Sequence, residues 1–192
     1  MDAKEKISKH LQDSIRVHEA LLASHVESIA QVAKRIVDCL KAGNKLLFFG
    51  NGGSASDSQH LAAEFVGRYE KERVALPAIA LTTDTSILTA VGNDYGFDRI
   101  FERQVAALGK KGDLAFAIST SGNSPNVIFG VEKCKALGIQ TIGFLGRSGG
   151  KLKSLVDFPI VIPSEKTSRI QESHIMIGHI LCELVDEAFN AQ

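Results

Sequence analysis

The chain has 192 residues, of which 44% are hydrophobic and 23% charged, a composition typical of a soluble globular protein. This length suits one domain with a full core, so we expect a single domain over residues 1–192. The 22 basic residues balance 22 acidic ones, which argues against a nucleic-acid binder, and no apolar run approaches the ~20 residues of a membrane span.

The first part of the chain is predicted to form two amphipathic helices, over residues 4–24 and 26–42. In each helix the apolar residues recur at helical spacing and form a stripe wide enough to be buried. In the first helix these residues are Ile7, Leu11, Ile15, Leu21 and Leu22. A helical pair before the first strand could cap the core, and we expect this pair, within residues 1–42, to form an oligomer interface.

Five short apolar segments follow and are predicted to be strands. They lack polar alternation, as expected when both faces of a sheet are covered. In chain order they read KLLFF, PAIAL, DLAFAIS, IQTIGFLG and DFPIVIP. Helices are predicted at about residues 56–69, 84–108, 125–137 and 169–191. This alternation implies right-handed crossovers, so the expected fold class is α/β, with a doubly wound, mostly parallel five-stranded sheet flanked by helices.

Three of the predicted strands end in unusual loops, and ligands of open α/β sheets bind at the carboxyl ends of strands. These loops read GNGGSAS, TSGNSPN and RSGG. Glycine lets backbone N–H groups approach an anion closely, hydroxyl groups donate further hydrogen bonds, and a helix N-terminus adds a favourable partial charge. The first two loops combine glycine with clustered hydroxyls and then enter a helix, which favours an anionic ligand.

Residues 50–55 match G-x-G-x-x-A, a form of the dinucleotide-binding fingerprint. That fingerprint also requires an acidic residue at the end of the second strand, about 20 residues further on. The region at that distance is polar and turn-like, and Asp84, the nearest acidic residue at a strand end, is too distant. A nicotinamide or flavin cofactor is therefore the less favoured interpretation of this loop.

The second loop carries four hydroxyl groups, from Ser119, Thr120, Ser121 and Ser124, around one glycine, with Pro125 at a helix start. A hydroxyl-rich loop without lysine suits a phosphate monoester, whereas the pattern G-x-x-x-x-G-K-[ST] of ATPases is absent. Helix capping is the alternative explanation. It accounts for one or two hydroxyl groups but poorly for a run of them.

His60 and Glu64 lie four residues apart on the helix predicted after the first loop, so they share one face of it. A histidine and a carboxylate at this spacing can bind one divalent metal ion or act as a proton-transfer pair. An isolated pair of this kind is usually a surface ion pair. The position directly behind a ligand-binding loop favours the chemical interpretation.

The motifs "GNGGSASDSQHLAAE" and "STSGNS" resemble those of the sugar isomerase (SIS) domain, and "VGNDYGF" with "RIQESHIMIGHILCELVDE" narrows the resemblance to the bacterial phosphoheptose isomerases. The resemblance extends over nearly the whole chain, with the motifs in the order of that family. It implies isomerisation of sedoheptulose 7-phosphate to D-glycero-D-manno-heptose 7-phosphate through a cis-enediol. That reaction is the first step towards ADP- or GDP-heptose for surface polysaccharides such as lipopolysaccharide.

The resemblance also implies roles for individual residues. It places one zinc ion per subunit among His60, Glu64, Gln171 and His179, with Glu64 and His179 as the acid/base pair. The substrate-binding residues expected from the loops and the resemblance are Asn51, Gly52, Gly53, Ser54, Glu64, Asn93, Asp94, Ser119, Thr120, Ser121, Ser124 and Gln171. Ser168 is a departure, since some relatives have an acid there, and any role of that acid cannot be carried over.

Structural interpretations compete with several of these roles. From the residues alone, His179 in IMIGHILCEL is more readily interpreted as a core histidine held by a hydrogen bond. An Asx turn is the alternative for Asn93 and Asp94. Glu172 and His174 lie close by in sequence but fall outside the family match.

The spacing of Gln171 and His179 limits how they can share an ion. Eight residues on a straight helix span about 12 Å, whereas metal–ligand bonds are about 2 Å long. Both can reach one ion only with extended side chains or if two subunits contribute. The resemblance implies a homotetramer, and we expect sites shared between subunits.

The compartment and the rival function complete the sequence-based expectations. The cysteines Cys39, Cys134 and Cys182 are scattered and form no CxxC pair, and the N-terminus has no apolar secretory segment, so we expect a cytoplasmic protein with reduced thiols. Its expected partner is a small phosphosugar, with no nucleic acid or membrane. The alternative is a non-catalytic SIS regulator of the replication-initiator-associating type, which would need neither Glu64 nor His179.

Overall fold

The structure, a computed structural model that describes residues 2–190, contains a sheet of five strands flanked by helices. The strands are β1 Leu46–Gly50, β2 Ala78–Ala80, β3 Leu114–Ser119, β4 Gln140–Gly146 and β5 Phe158–Ile162. The helices are α1 Ala3–Ser24, α2 Val26–Lys41, α3 Gly53–Val66, α4 Thr85–Tyr95, α5 Ile100–Leu108, α6 Pro125–Ala136, α7 Leu152–Leu155 and α8 Thr167–Asn190. The strand order is β2-β1-β3-β4-β5 and all neighbours are parallel, which confirms the predicted doubly wound α/β fold.

Two helical predictions differ from the structure. The single helix predicted over 84–108 is broken into α4 and α5, because Gly96 adopts a positive φ of 89° and a 3-10 turn, Phe97–Arg99, follows it. The short helix α7 was not predicted. The predicted end of the last helix at residue 191, like the termini of the predicted domain, lies outside the described residues.

The apolar strands are explained by two hydrophobic clusters, one on each face of the sheet. Leu46 and Phe48 of β1 face the cluster that contains α2, α3 and α8. Leu47 and Phe49 face the cluster that contains α5 and α6. Successive strand residues point to opposite faces, so a strand buried on both faces must be apolar throughout.

The apolar stripe of α1 stays uncovered within one chain. Ile7, Leu11, Ile15 and Leu22 are 56–74% exposed, and Leu21 is the buried residue of this helix. An apolar cavity of about 270 Å³ lies among α1, α2 and α8. An exposed stripe of this kind is typical of a surface that contacts another protein chain.

The three cysteines are free, as predicted, and all three are buried. Burial raises the pKa of Cys39 to about 11 and that of Cys134 and Cys182 to about 12. Thiols with such values are almost fully protonated at neutral pH and are poor nucleophiles. Within residues 2–190, no helix combines the length and the apolar character needed to cross a bilayer.

Candidate active site

The first loop connects β1 to α3 at the carboxyl edge of the sheet. A Cβ at Gly50 would lie 2.7 Å from the Ile118 carbonyl oxygen, so glycine lets β1 and β3 come close together there. Gly52 has a positive φ of 56° and precedes the first turn of α3, where Ser54 is buried. The loop is thus a tight entry into the helix that carries His60 and Glu64.

The side chain of Asn51 ties this first loop to α6. Its amide exchanges two hydrogen bonds of 2.8 Å with the amide of Asn126, which is 2% exposed. The Asn51 side chain is therefore engaged in a structural contact. Asn126 was missed at the level of sequence, where an asparagine in the first turn of a helix is unremarkable.

The second loop brings its hydroxyl groups together at the end of β3. Ser119 Oγ lies 3.0 Å from Ser124 Oγ and 3.5 Å from Ser121 Oγ, while Thr120 is partly buried between Ser119 and Ser121. Ser124 occupies the N-cap position of α6 but makes no capping hydrogen bond, so capping does not explain it. The first N–H groups of α6 have no intrahelical partner, and together with the hydroxyl groups they form a set of donors suited to an anion.

His60, Glu64 and His179 form a cluster between α3 and α8. His60 Nε2 lies 2.9 Å from His179 Nε2 and 3.2 Å from Glu64 Oε1. The His179 ring also stacks on Tyr69, with the ring centres 5.4 Å apart. The two helices can approach here because residue 178 is glycine, where a Cβ would lie 2.5 Å from a methyl carbon of Leu61.

This cluster fits a divalent metal ion. One ligand atom from each of the three residues lies within 4.8 Å of the others. Zinc bonds to histidine and carboxylate are about 2.0–2.2 Å long, so tetrahedral ligand atoms lie about 3.3–3.5 Å apart. The two short distances around His60 are close to that spacing, and the imidazole and carboxylate donors are those that zinc prefers.

Gln171 lies at the other end of the same helix pair. Its side-chain amide packs against Gly53 in the first turn of α3, where a Cβ would collide with it. His60 is two turns further along α3. Within one chain, Gln171 therefore lies beside the first loop, whereas His179 lies in the cluster. Gln171 as a fourth metal ligand remains a prediction, and it would require a side-chain rearrangement or a second subunit.

Asn93 and Asp94 are exposed in the last turn of α4. Asn93 Nδ2 donates a 2.8 Å hydrogen bond to Asp94 Oδ1, so the pair lies within a helix and not in an Asx turn. Asp84, the acidic residue considered for a dinucleotide site, accepts a hydrogen bond from the N–H of Ile87 as the N-cap of α4. That role counts further against the dinucleotide interpretation.

His174 and Glu172, to which the family resemblance gives no role, have structural roles. His174 is fully buried, with Nε2 3.1 Å from the Leu145 carbonyl oxygen, and burial lowers its pKa to about 4. Glu172 accepts hydrogen bonds from Arg169 and Ser14. The core-histidine interpretation therefore describes His174, whereas His179 is partly exposed in the cluster.

A buried ion pair, missed at the level of sequence, braces α3 against α8. Arg73 and Asp186 are each about 1% exposed, and Arg73 Nε donates a 2.7 Å hydrogen bond to Asp186 Oδ1. The Arg73 guanidinium also donates to the carbonyl oxygens of Glu64 and Phe65 at 2.8 and 2.9 Å. Burial alone would raise the pKa of Asp186, but the hydrogen bonds from Arg73 and two backbone N–H groups hold it below its ordinary value.

Asp57 lies one turn before His60 on α3 and was also missed. Its Oδ2 atom is buried and has no hydrogen-bond partner among residues 2–190. Burial raises the pKa of Asp57 to about 6, while the nearby His60 acts in the opposite direction. An unpaired carboxylate with a raised pKa is a common feature of functional sites.

The chain is similar to known proteins in both sequence and structure. Residues 9–146 match the family model described as SIS domain. The phosphoheptose isomerase of Aquifex aeolicus (strain VF5) is 57% identical over 183 residues, 95% of this chain and 96% of its own. The solved phosphoheptose isomerases of Neisseria gonorrhoeae and Francisella tularensis have TM-scores of 0.92 and 0.94, at 43% and 40% identity, and in both cases 97% of this chain and 100% of the other is covered. The similarity therefore spans both loops and both helices of the cluster.

Proposed function

The chain belongs to the SIS domain family, and within it to the phosphoheptose isomerases, and on this basis we propose that it converts sedoheptulose 7-phosphate to D-glycero-D-manno-heptose 7-phosphate. This reaction begins heptose biosynthesis for surface polysaccharides such as lipopolysaccharide. The observation that carries the proposal is the cluster of His60, Glu64 and His179 on the helix pair behind an anion-binding loop. A regulator that only binds a phosphosugar needs no such cluster.

The two loops bind the substrate and set its register. The hydroxyl groups of Ser119, Ser121 and Ser124, with Thr120 and the first N–H groups of α6, hold the phosphate. Asn51, Gly52, Gly53 and Ser54, with Asn93 and Asp94 from α4 and Gln171 from α8, surround the sugar. Fixing the phosphate end limits where the reacting carbons can lie, which lowers the entropic part of the barrier.

Glu64 and His179 move the protons of the isomerisation. Glu64 removes a proton from C1 of the ketose, and His179 supplies a proton to the oxygen on C2, which gives the cis-enediol. His179 then accepts the proton of the C1 hydroxyl while Glu64 returns its proton to C2, which gives the aldose. Both residues end in their starting protonation states, as a catalytic cycle requires.

A zinc ion, one per subunit, would be held by His60, Glu64 and His179, with Gln171 as the fourth ligand. When bound, zinc would polarise the substrate carbonyl and stabilise negative charge on its oxygen. Glu64 can serve as ligand and base because a carboxylate has two oxygen atoms, and Oε1 is the one that lies 3.2 Å from His60 Nε2. Its Oε2 atom makes no hydrogen bond within residues 2–190 and is free to accept a proton.

We propose a cytoplasmic homotetramer of single-domain subunits, each spanning residues 1–192. The exposed apolar stripe of α1 supports a subunit interface. The separation of Gln171 from the cluster within one chain supports a site that draws on two subunits. Analytical ultracentrifugation measures the subunit number directly, and a monomer at micromolar concentration would remove both proposals.

The test of the activity uses wild-type protein and one paired substitution. Purified protein is incubated with sedoheptulose 7-phosphate, and the aldose is followed by NMR. Glu64→Gln retains the size of the side chain but cannot accept the C1 proton, so kcat should fall by about 10²–10⁴-fold, while calorimetry shows retained affinity for the sugar. Glu132→Gln, an exposed change on α6, is the matched control. Wild-type protein that binds the sugar without isomerising it would favour the regulatory function.

A further inference from the structure

The third loop, residues 147–150 at the end of β4, packs directly on the phosphate-binding loop. A Cβ at Gly122 would collide with the carbonyl group of Gly149. The Leu152 N–H donates a 3.0 Å hydrogen bond to the Gly122 carbonyl oxygen. Just before this third loop, a Cβ at Gly146 would lie 2.7 Å from the Thr120 carbonyl oxygen. The second and third loops therefore form one unit, although the function proposed above assigns no role to the third.

Arg147 stands between these contacts in a strained conformation. Its φ is 57°, and no other non-glycine residue among residues 2–190 has a positive φ. It is the first central residue of a turn closed by a 2.9 Å hydrogen bond from the Gly149 N–H to the Gly146 carbonyl oxygen, and glycine is favoured at such positions. Backbone strain of this kind concentrates at functional sites.

The side chain of Arg147 is exposed and makes no hydrogen bond or ion pair within the described chain. The phosphate-binding loop, by contrast, contains only neutral residues from Ser119 to Pro125, although a phosphate monoester carries close to two negative charges at neutral pH. Adjacent strand ends lie about 4.8 Å apart, a gap that an extended arginine side chain spans. Arginine also matches phosphate geometry through two parallel hydrogen bonds.

We propose that Arg147 is the cationic residue of the phosphate site, pairing with the phosphate that the hydroxyl groups hold. The proposal deepens the proposed function and rests on it, since it concerns the phosphate of the same substrate. Lys151 and Lys153 also lie near this loop, but neither has a positive φ. Arg147 is singled out because it holds a backbone conformation that favours glycine.

Three substitutions test the proposal against a merely structural role. Arg147→Gly removes the charge and relieves the strain, so the melting temperature should stay equal or rise while KM for the phosphosugar increases about 10-fold or more. Arg147→Lys keeps the charge and should recover part of the affinity, whereas Arg147→Gln should not. In each variant kcat should change less than KM. Lys135→Gln is the matched control, since it removes one charge near the far end of α6, about 15 Å along the helix from Pro125.

The salt dependence gives an independent readout. Wild-type KM should rise more steeply with added sodium chloride than that of Arg147→Gln, because an ion pair is screened. A KM for Arg147→Gln within twofold of Lys135→Gln would overturn the proposal.

Inorganic phosphate separates this proposal from the proposed function. If wild-type protein fails to isomerise the sugar, the proposed function fails, and calorimetry with inorganic phosphate still decides the role of Arg147. Weaker phosphate binding by Arg147→Gln than by Lys135→Gln supports it. Equal phosphate binding by the two variants overturns it.

Discussion

Asp57 makes the stability of the protein depend on pH in a way that can be calculated. Burial raises the pKa of its carboxyl group, whose Oδ2 atom has no hydrogen-bond partner among residues 2–190, from 3.8 to about 6. The folded state then binds the proton more readily than the unfolded state, so stability falls as pH rises from 4 through 6 and the full loss is present above 6. At about 1.4 kcal/mol per pH unit the loss is ~3 kcal/mol. Because the side chain is partly exposed, solvent screens its charge, and we expect a loss of stability of about 1–2 kcal/mol.

Asp57→Asn removes this charge while preserving the shape of the side chain. In EDTA, urea unfolding at pH 7.5 should show the variant to be about 1–2 kcal/mol more stable than wild type, and the gain should shrink by at least half at pH 4.5. Asp38→Asn, an exposed change on α2, should alter stability by less than about 0.5 kcal/mol at either pH. The reasoning is refuted if ¹³C NMR shows the Asp57 carboxyl titrating near pH 4, or if Asp57→Asn is the less stable protein at pH 7.5.

Three further predictions concern the phosphate-binding loop, the buried Arg73–Asp186 ion pair and the metal ion. Ser124→Ala should raise KM by about 2- to 13-fold if the lost hydrogen bond is worth as much as a neutral one, and by more because the phosphate is charged, with little change in kcat. Initial rates beside the exposed control Ser154→Ala check this, and equal KM values would place the phosphate elsewhere. Arg73→Met leaves Asp186 buried without its cation and should lower the free energy of unfolding by about 3–5 kcal/mol; a loss below about 1 kcal/mol in urea unfolding would make the brace dispensable. Elemental analysis should find about one divalent ion per chain, and chelation should reduce turnover until zinc is restored. Full activity of metal-free protein would remove the ion from the mechanism.

The fold and the loops were predictable because their signals are local. Apolar strands, helical periodicity and glycine-rich strand ends each lie within a few residues of sequence. His60 and Glu64 could be placed on one helix face by spacing alone. The break at Gly96 was missed because a helix lies on each side of it, and the positive φ of that glycine and the 3-10 turn after it separate the two helices.

The contribution of α8 could not be derived from its own residues. Its apolar positions would allow either His174 or His179 to face the core, and the residues alone favoured a core role for His179. The structure gives that role to His174, and His179 was identified through the family resemblance. Which side of α8 meets α3 depends on the close contact of Gly178 with Leu61, and such a contact has no local signature.

The pairs that brace the site were missed for the same reason. Arg73 and Asp186 are 113 residues apart in sequence, and Asn51 and Asn126 are 75 apart. Nothing near either member indicates its partner. A buried pair of this kind becomes visible only when the fold has brought two distant segments together.

The two edges of the sheet differ in how their carboxylates are hydrogen-bonded and in backbone strain. At the amino edge, Asp113 accepts hydrogen bonds from two backbone N–H groups and a lysine, and Asp157 accepts from the N–H and hydroxyl of Thr141. Towards the carboxyl edge, Asp57 has an unpaired buried oxygen and Arg147 holds a conformation that glycine would adopt without strain. The chain therefore pairs its carboxylates at the amino edge. Near the carboxyl edge it departs from two local rules, the pairing of buried polar atoms and the use of glycine at positive φ. Sequences break such rules chiefly where function requires it, which supports our proposal that the chemistry lies at the edge where the three loops meet.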